Sequence, residues 1–136
     1  ELELLTALPY ADNDVVLHTD ITRLPQRKTA WASWNYNLST NQRASLTYNM
    51  NILQGIQSET TFCVSLNQTD LIAPDKILAR FNYAHPQFSL SGVAAQARWT
   101  EISGINNTYF CGAYWGNGFH EDGVSSALRV VAQINE

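Results

Sequence analysis

The 136-residue sequence predicts an α+β fold, a mostly antiparallel sheet with two or three helices. Two patterns point there. Several short runs alternate apolar and polar residues with aromatics among them, the period of a pleated strand. Between and after them lie stretches with apolar residues three and four apart, the period of a helix. Composition agrees with a packed domain, since 45% of residues are hydrophobic and only 15% charged.

The elements follow in order. Leu2, Leu4, Leu5 and Leu8 make a partial helical stripe that Pro9 ends. Tyr10 to Asp14 reads as a polar turn, and Val15 to Thr19 as a short buried strand. Arg23 to Lys28 is a loop around Pro25. Ala30 to Tyr36 carries aromatics on both alternating faces, the pattern of a strand in the middle of a covered sheet. After a polar turn at Asn37 to Gln42, Ala44 to Met50 is a strand with Leu46, Tyr48 and Met50 on one face. Ser33–Tyr36 and Ser45–Tyr48 can pair across that turn as a hairpin.

Asn51 to Gln57 suits a short helix, Thr60 to Leu66 a strand, and Asn67 to Asp75 a loop. Lys76 to Tyr83 alternates again until His85-Pro86 breaks it. Ser91 to Ile102 reads as a helix capped by Ser89 or Ser91 and stopped by Gly104. Thr108 to Ala113 reads as a strand. A glycine-rich loop follows, and then a helix from Asp122 to Ile134 with Val124, Ala127, Leu128, Val131 and Ile134 at helical spacing.

Charge and cysteine content narrow the function classes. Net charge is −4 and the basic residues do not cluster beyond Arg23, Arg27 and Lys28, which disfavours nucleic acid. No apolar run approaches the length of a membrane span, and no signal peptide is visible, so a cytoplasmic location is expected. The three N-x-S/T triplets, at Asn37, Asn67 and Asn106, therefore carry little weight. Cys63 and Cys111 each sit in an apolar run and read as buried reduced thiols, a disulfide between them being the lesser alternative. His18, His85 and His120 lack metal-ligand spacing, so no metal is expected. No G-x-S-x-G elbow occurs, and no residue is nominated as catalytic.

The segment most open to a chemical reading is the glycine loop with the helix after it. Glycines at 112, 116, 118 and 123 alternate with Tyr114, Trp115 and Phe119, His120 lies in the loop at the mouth of the helix, and the helix begins on Glu121-Asp122-Gly123. Glycine permits close backbone approach, and a helix N-terminus offers unpaired N–H donors. Such a unit suits a phosphate or the electron-rich edge of a ring, although a plain structural turn explains it equally well. Glu121 and Asp122 are explained more simply by helix capping than by acid–base chemistry.

FCGAYWGNGFHEDGVSSAL resembles the closing flavin-binding segment of the flavin-containing amine oxidoreductase family. VVLHTD, AWASWNY, LTYNMNILQ and CGAYWGNGFHEDG, in that order, resemble a bacterial group of NAD/FAD-binding proteins of amine-oxidase type, over about Val15 to Ala132. The resemblance implies a two-domain FAD-dependent oxidoreductase in which the FAD domain is interrupted by a substrate domain. Residues 1–104 would be the substrate-domain portion with flanking helices. Residues 105–136 would be the closing strand-loop-helix of the FAD domain. It implies that Gly112, Trp115, Gly116, Gly118, Phe119, His120, Glu121, Asp122, Gly123 and Val124 lie against the cofactor, with the helix N–H groups facing O2 and N1 of the flavin. The family often has an acidic residue after the glycine of F-x-G, where this chain has Ala113, so that contact is not expected here.

The dinucleotide fingerprint G-x-G-x-x-G is absent from these residues. The expected partners are therefore an N-terminal Rossmann half of the same protein and a small-molecule substrate, with a homodimer as a way to cover exposed apolar surface. The expected chemistry of the parent is hydride transfer to flavin, the 136 residues alone binding FAD weakly or not at all. The alternative is a non-catalytic binding module whose tryptophans, Trp31, Trp34 and Trp115, share an exposed face.

Overall fold

In a computed structural model, residues 1–37 and 45–135 are described. The fold is α+β, with one five-stranded antiparallel sheet and, among the described residues, four helices. The strands are β1 (Tyr10–His18), β2 (Trp34–Asn37), β3 (Ser45–Asn49), β4 (Cys63–Leu66) and β5 (Ile77–Pro86), in the order β2-β3-β4-β1-β5. The helices are α1 (Leu2–Thr6), α2 (Met50–Gln54), α3 (Leu90–Ala97) and α4 (His120–Ile134). Two compact units form, one of residues 1–11 and 85–136, the other of residues 12–84.

The 12–84 unit has an unusual sheet. Val15, Leu66, Leu46 and Tyr36 lie side by side across four strands, as do Leu17, Val64, Tyr48 and Trp34. These rows share one face. Its exposure grows from Val15, 5% exposed, to Tyr36 at 63% on the edge strand. The opposite face is polar and sealed. Val16, Ser65 and Thr47 are aligned there, as are His18, Cys63 and Asn49, all at most 1% exposed.

Buried hydroxyls demand partners, and here they satisfy one another. The Asp20 backbone N–H donates to His18 Nδ1 at 3.0 Å. The proton of the neutral ring therefore sits on Nε2, 2.8 Å from Ser65 Oγ. Ser65 in turn lies 2.7 Å from Thr47 Oγ1, which also accepts from Gln68 Nε2 at 3.2 Å. The Asp20 carboxylate, itself buried, accepts from Thr22 N, Thr22 Oγ1 and Ala73 N and sits 3.7 Å from Lys76 Nζ. It ties the loop after β1 to the loop before β5.

Several expectations are corrected. Tyr10 to Asp14 is no turn but the first half of β1, because Asn67 bonds to Asp14 and Asn13 and so pairs the polar residues. The covered central strand at Ala30 to Tyr36 is instead the short edge strand β2. Asn35 folds its amide back onto Ala32, and Trp31 Nε1 turns to Pro25 O, so the chain becomes extended only at Trp34. Leu46 and Tyr48 share one face as expected, the buried face being that of Ser45, Thr47 and Asn49, but Met50 opens α2 under an Asn49 cap instead of continuing the strand. β5 runs through His85 to Pro86, since an edge strand tolerates proline. The hairpin of β2 with β3 forms in the expected region, Trp34 opposite Tyr48. The turn expected at 37–42 falls on residues 38–42, outside the described residues, as does Ala44.

In the other unit, Leu4, Leu8, Ala95, Trp99, Ile102 and Trp115 form the core. α3 starts on a Ser89 cap and stops at Ala97, earlier than Ile102, giving way to a 3-10 turn at Trp99–Glu101. The strand expected at Thr108 to Ala113 is absent. Asn106 and Asn107 both take positive φ, 52° and 56°, and close a tight turn bridging Ile105 to Thr108. The carbonyl of Phe110 is then captured by Trp99 Nε1 at 2.7 Å rather than by a sheet. Cys111 is consequently exposed, while Cys63 is buried; both are free thiols.

Burial lowers the His18 pKa, with the Asp20 charge opposing and Arg23 reinforcing the shift. Burial raises that of Asp20, but hydrogen bonds from Ala73 and Thr22 and the Lys76 charge outweigh it and hold the carboxyl at about 2. The unfolded chain thus binds more protons below the ordinary histidine pKa. Stability should be full above about pH 6.5 and fall on acidification below it, with a further loss below about pH 4 as Asp20 protonates. Urea unfolding midpoints across pH check this: His18→Gln should flatten the first limb. Asp20→Ala should cost about 2–4 kcal/mol at neutral pH, because three donors lose a charged acceptor.

Candidate functional site

The candidate site is the segment from Gly112 to Val124 in the unit of residues 1–11 and 85–136. Its local fold follows from a few long-range bonds. Gln96 on α3 donates through Nε2 to Tyr114 O at 2.9 Å and to Gly116 O at 2.7 Å. Gly112 N donates to Ser126 Oγ on α4 at 3.1 Å. Between them a 3-10 turn at Ala113–Trp115 drives Trp115 into the core, where it is 7% exposed. Gly116 N and Gly118 N both donate to Ala113 O, closing the loop on itself.

Most of these glycines answer to the fold. A Cβ at Gly112 would overlap the Tyr114 ring, and one at Gly116 the Asp122 carboxylate. Gly118 has φ +89° and lies against Phe88, where a Cβ would come within 3.2 Å of the ring. Gly123 differs. It is helical, and a Cβ there would meet nothing nearer than Ala113 N at 3.8 Å. Alanine would be the better helix former at such a position by roughly 1 kcal/mol. Nothing in the fold requires glycine at 123.

α4 begins as the capping expectation proposes. Asp122 Oδ2 accepts from Phe119 N at 2.9 Å, one turn back. The first N–H to find a helical partner is that of Gly123, onto Phe119 O. The N–H groups of His120, Glu121 and Asp122 precede it at the positive end of the helix dipole. Around that end Phe88, Phe119 and Val124 are 50%, 59% and 53% exposed, and His120 and Glu121 are exposed too. The structure thus gathers Phe119 to Val124 at one helix mouth with Gly118 beside it. Trp115, Gly112 and Gly116 act from behind, as packing.

The helix's long apolar stripe turns outward. Val124, Leu128, Val131 and Ile134 are 51–63% exposed. Inward face Ser126, Val130 and Gln133, the last exchanging bonds with Ser103. Gln96, Ser126 and Phe88 were not legible as site residues, since each acts through a contact distant in sequence.

Two further places carry side chains of nucleophilic type, Ser65 beside His18 and Cys63. Ser65 and His18 have the spacing of a nucleophile and its base, but His18 Nε2 already holds its proton and both side chains are fully buried. Burial, and then the Asp20 charge, push the Cys63 thiol up to about 11, far from a reactive thiolate. Among the described residues, no group of three or more His, Cys, Asp or Glu side chains could hold a metal ion, and no helix is long and apolar enough to cross a membrane.

No protein-family model matches the chain, and no curated protein matches it.

Gln96→Ala should free the loop. The expected cost is about 1–2 kcal/mol for two half-buried carbonyls left without their donor. Amide hydrogen exchange at Gly116 and Gly118 should accelerate while that in α3 stays slow; unchanged exchange would mean the clamp does not hold the loop.

Proposed function

We propose that this chain is the C-terminal portion of an FAD-dependent oxidoreductase of amine-oxidase type, with the mouth of α4 set against the flavin ring. Two things support the reading. One is the ordered likeness of VVLHTD, AWASWNY, LTYNMNILQ and CGAYWGNGFHEDG to such proteins. The other, which carries it, is Gly123: a helical glycine that the fold does not need, beside unpaired backbone donors and exposed aromatic side chains. Glycine at 123 leaves the backbone of the first turn bare, with Ala113 N 3.8 Å from where a Cβ would stand, and a bare backbone beside N–H donors is what close approach of a flat, electron-rich ring requires.

When bound, the flavin would accept a hydride from the C–H of a small-molecule substrate whose C–N or C–C bond is oxidised to a double bond, the second hydrogen leaving as a proton. The chain's own residues would supply position and field. Phe119 and Val124 would bound the ring, and the N–H groups of His120 to Asp122 would favour negative charge at its edge. No side chain is assigned as a base. A nucleotide-binding half of the same protein would hold the rest of the cofactor and cover the outward stripe of α4, with a second copy of the chain as the other candidate cover.

The alternative, a non-catalytic recognition module, loses its three-tryptophan face because Trp115 is buried. One observation still favours a recognition surface: Trp34 packs edge-on against Tyr48 at 5.2 Å, and Tyr36 stands exposed beside them on the edge of the sheet.

Gly123→Ala tests the first reading. In the 136-residue chain it should raise stability by about 0.5–1 kcal/mol in urea titrations. In a polypeptide extended upstream to include the nucleotide-binding half, it should weaken FAD binding about tenfold, a loss of roughly 1.4 kcal/mol. An extended polypeptide that takes up no FAD, or a 136-residue chain that binds it tightly one to one, would overturn the assignment.

A further inference from the structure

We infer that Asn117, in the glycine loop, is a site of spontaneous deamidation whose rate is set by one backbone hydrogen bond. The reaction consumes only water. The backbone nitrogen after an asparagine gives up its proton and attacks the side-chain Cγ. The Cγ–Nδ2 bond then breaks, the amide nitrogen leaves as ammonia with the proton released, and a five-membered imide remains. Water opens that ring at either carbonyl, giving aspartate or isoaspartate, the latter with its main chain running through Cβ and Cγ.

Asn117 is the only asparagine of the sequence followed by glycine, the neighbour that shields its nitrogen least because it has no side chain. Asn117 and Gly118 are both exposed, so water reaches the carbonyls it must attack. Among the described residues the Asn117 side chain makes no hydrogen bond, so its Cγ is free to turn toward the main chain. The amides of Asn35, Asn49, Asn51 and Asn67 are each tied by hydrogen bonds, and none of them precedes glycine.

The nucleophile is what the fold withholds. Gly118 N donates to Ala113 O at 3.1 Å, and Gly116 N shares that acceptor at 3.0 Å. A nitrogen that keeps its proton in this bond cannot attack, and Gly118 is fixed at φ +89° by the same turn. Reaction therefore waits on local opening of the loop, the same event that lets an amide proton exchange with water. The opening is resisted from α3, where Gln96 Nε2 holds Tyr114 O and Gly116 O. The modification is also one-way. Isoaspartate inserts an extra main-chain carbon between residues 117 and 118, so Gly118 N no longer stands where Ala113 O can accept from it. Either product adds a negative charge one residue from Gly116, against which the Asp122 carboxylate rests.

The full chain is incubated at mildly alkaline pH, and a synthetic peptide of residues 111–123 beside it sets the rate in the absence of the fold. Proteolysis and mass spectrometry locate the mass gain of amide to acid, and nuclear magnetic resonance reads exchange of the Gly118 amide. Asn117 should be the first asparagine of the chain to convert, and should do so about tenfold or more slowly than in the peptide, the protection its hydrogen-bonded neighbour confers. Gln96→Ala should speed Gly118 exchange and Asn117 conversion by the same factor, about tenfold. Should that variant fail to fold, urea below the unfolding transition replaces it, and both rates of the unaltered chain should climb in proportion. Three results would overturn the inference: another asparagine converting before Asn117, a folded chain as fast as the peptide, or Gly118 exchange that accelerates while Asn117 conversion does not follow.

Discussion

A sheet that seals its hydroxyls and its histidine on one face has to put its apolar side chains on the other. That constraint organises the unit of residues 12–84. His18, Ser65, Thr47 and Gln68 hold one another in a chain whose direction is set by the Asp20 N–H pointing into His18 Nδ1. A hydrogen-bonded core of this kind tolerates few alternatives, since slipping any strand by one residue would bury apolar groups against hydroxyls and strand the polar ones. Its consequence is external. Leu46, Tyr48, Trp34 and Tyr36 form a surface that becomes more exposed toward the edge strand. The aromatic face is therefore a product of how the polar core is satisfied.

The same inversion recurs in α4. Its inward residues are Ser126, Val130 and Gln133, tied by hydrogen bonds to Gly112 and Ser103, while Val124, Leu128, Val131 and Ile134 look outward. Polar groups can fix a helix in register when each finds its partner, at the cost of leaving the hydrophobic stripe uncovered. An uncovered stripe beside a helix mouth with free donors is coherent with a unit shaped to meet further polypeptide and a cofactor, which is the reading proposed here.

Much of this was legible in the sequence and some was not, for identifiable reasons. Period-two alternation located β3, β4 and β5 and the pairing of β2 with β3, because strand period is a local property. It did not reveal which face is buried, because Ser45, Thr47 and Asn49 read as polar and the partners that satisfy Thr47, namely Ser65 and Gln68, lie far along the chain. Thr108 to Ala113 looked like a strand because its residues favour one; the αL pair Asn106–Asn107 and the capture of Phe110 by Trp99 override that propensity. The capping role of Asp122 was readable from its place near the helix start, although the helix begins two residues earlier, at His120. Gln96 was not, since a glutamine in mid-helix carries no mark of the two carbonyls it holds.

The glycines separate fold from function more sharply than the motif that contains them. Gly112, Gly116 and Gly118 are each explained by a neighbour within the unit, a tyrosine ring, a capping carboxylate or a left-handed turn beside Phe88. A spacing-based reading counts all four alike. Packing leaves only Gly123 without an internal cause, and it lies in the first turn of α4, where the backbone donors are. Glycine there forgoes helix stability that alanine would supply at no steric cost. On the reading proposed here that glycine answers to the cofactor rather than to its own helix, and the smallest change, to alanine, probes this without disturbing the loop, the cap or the core.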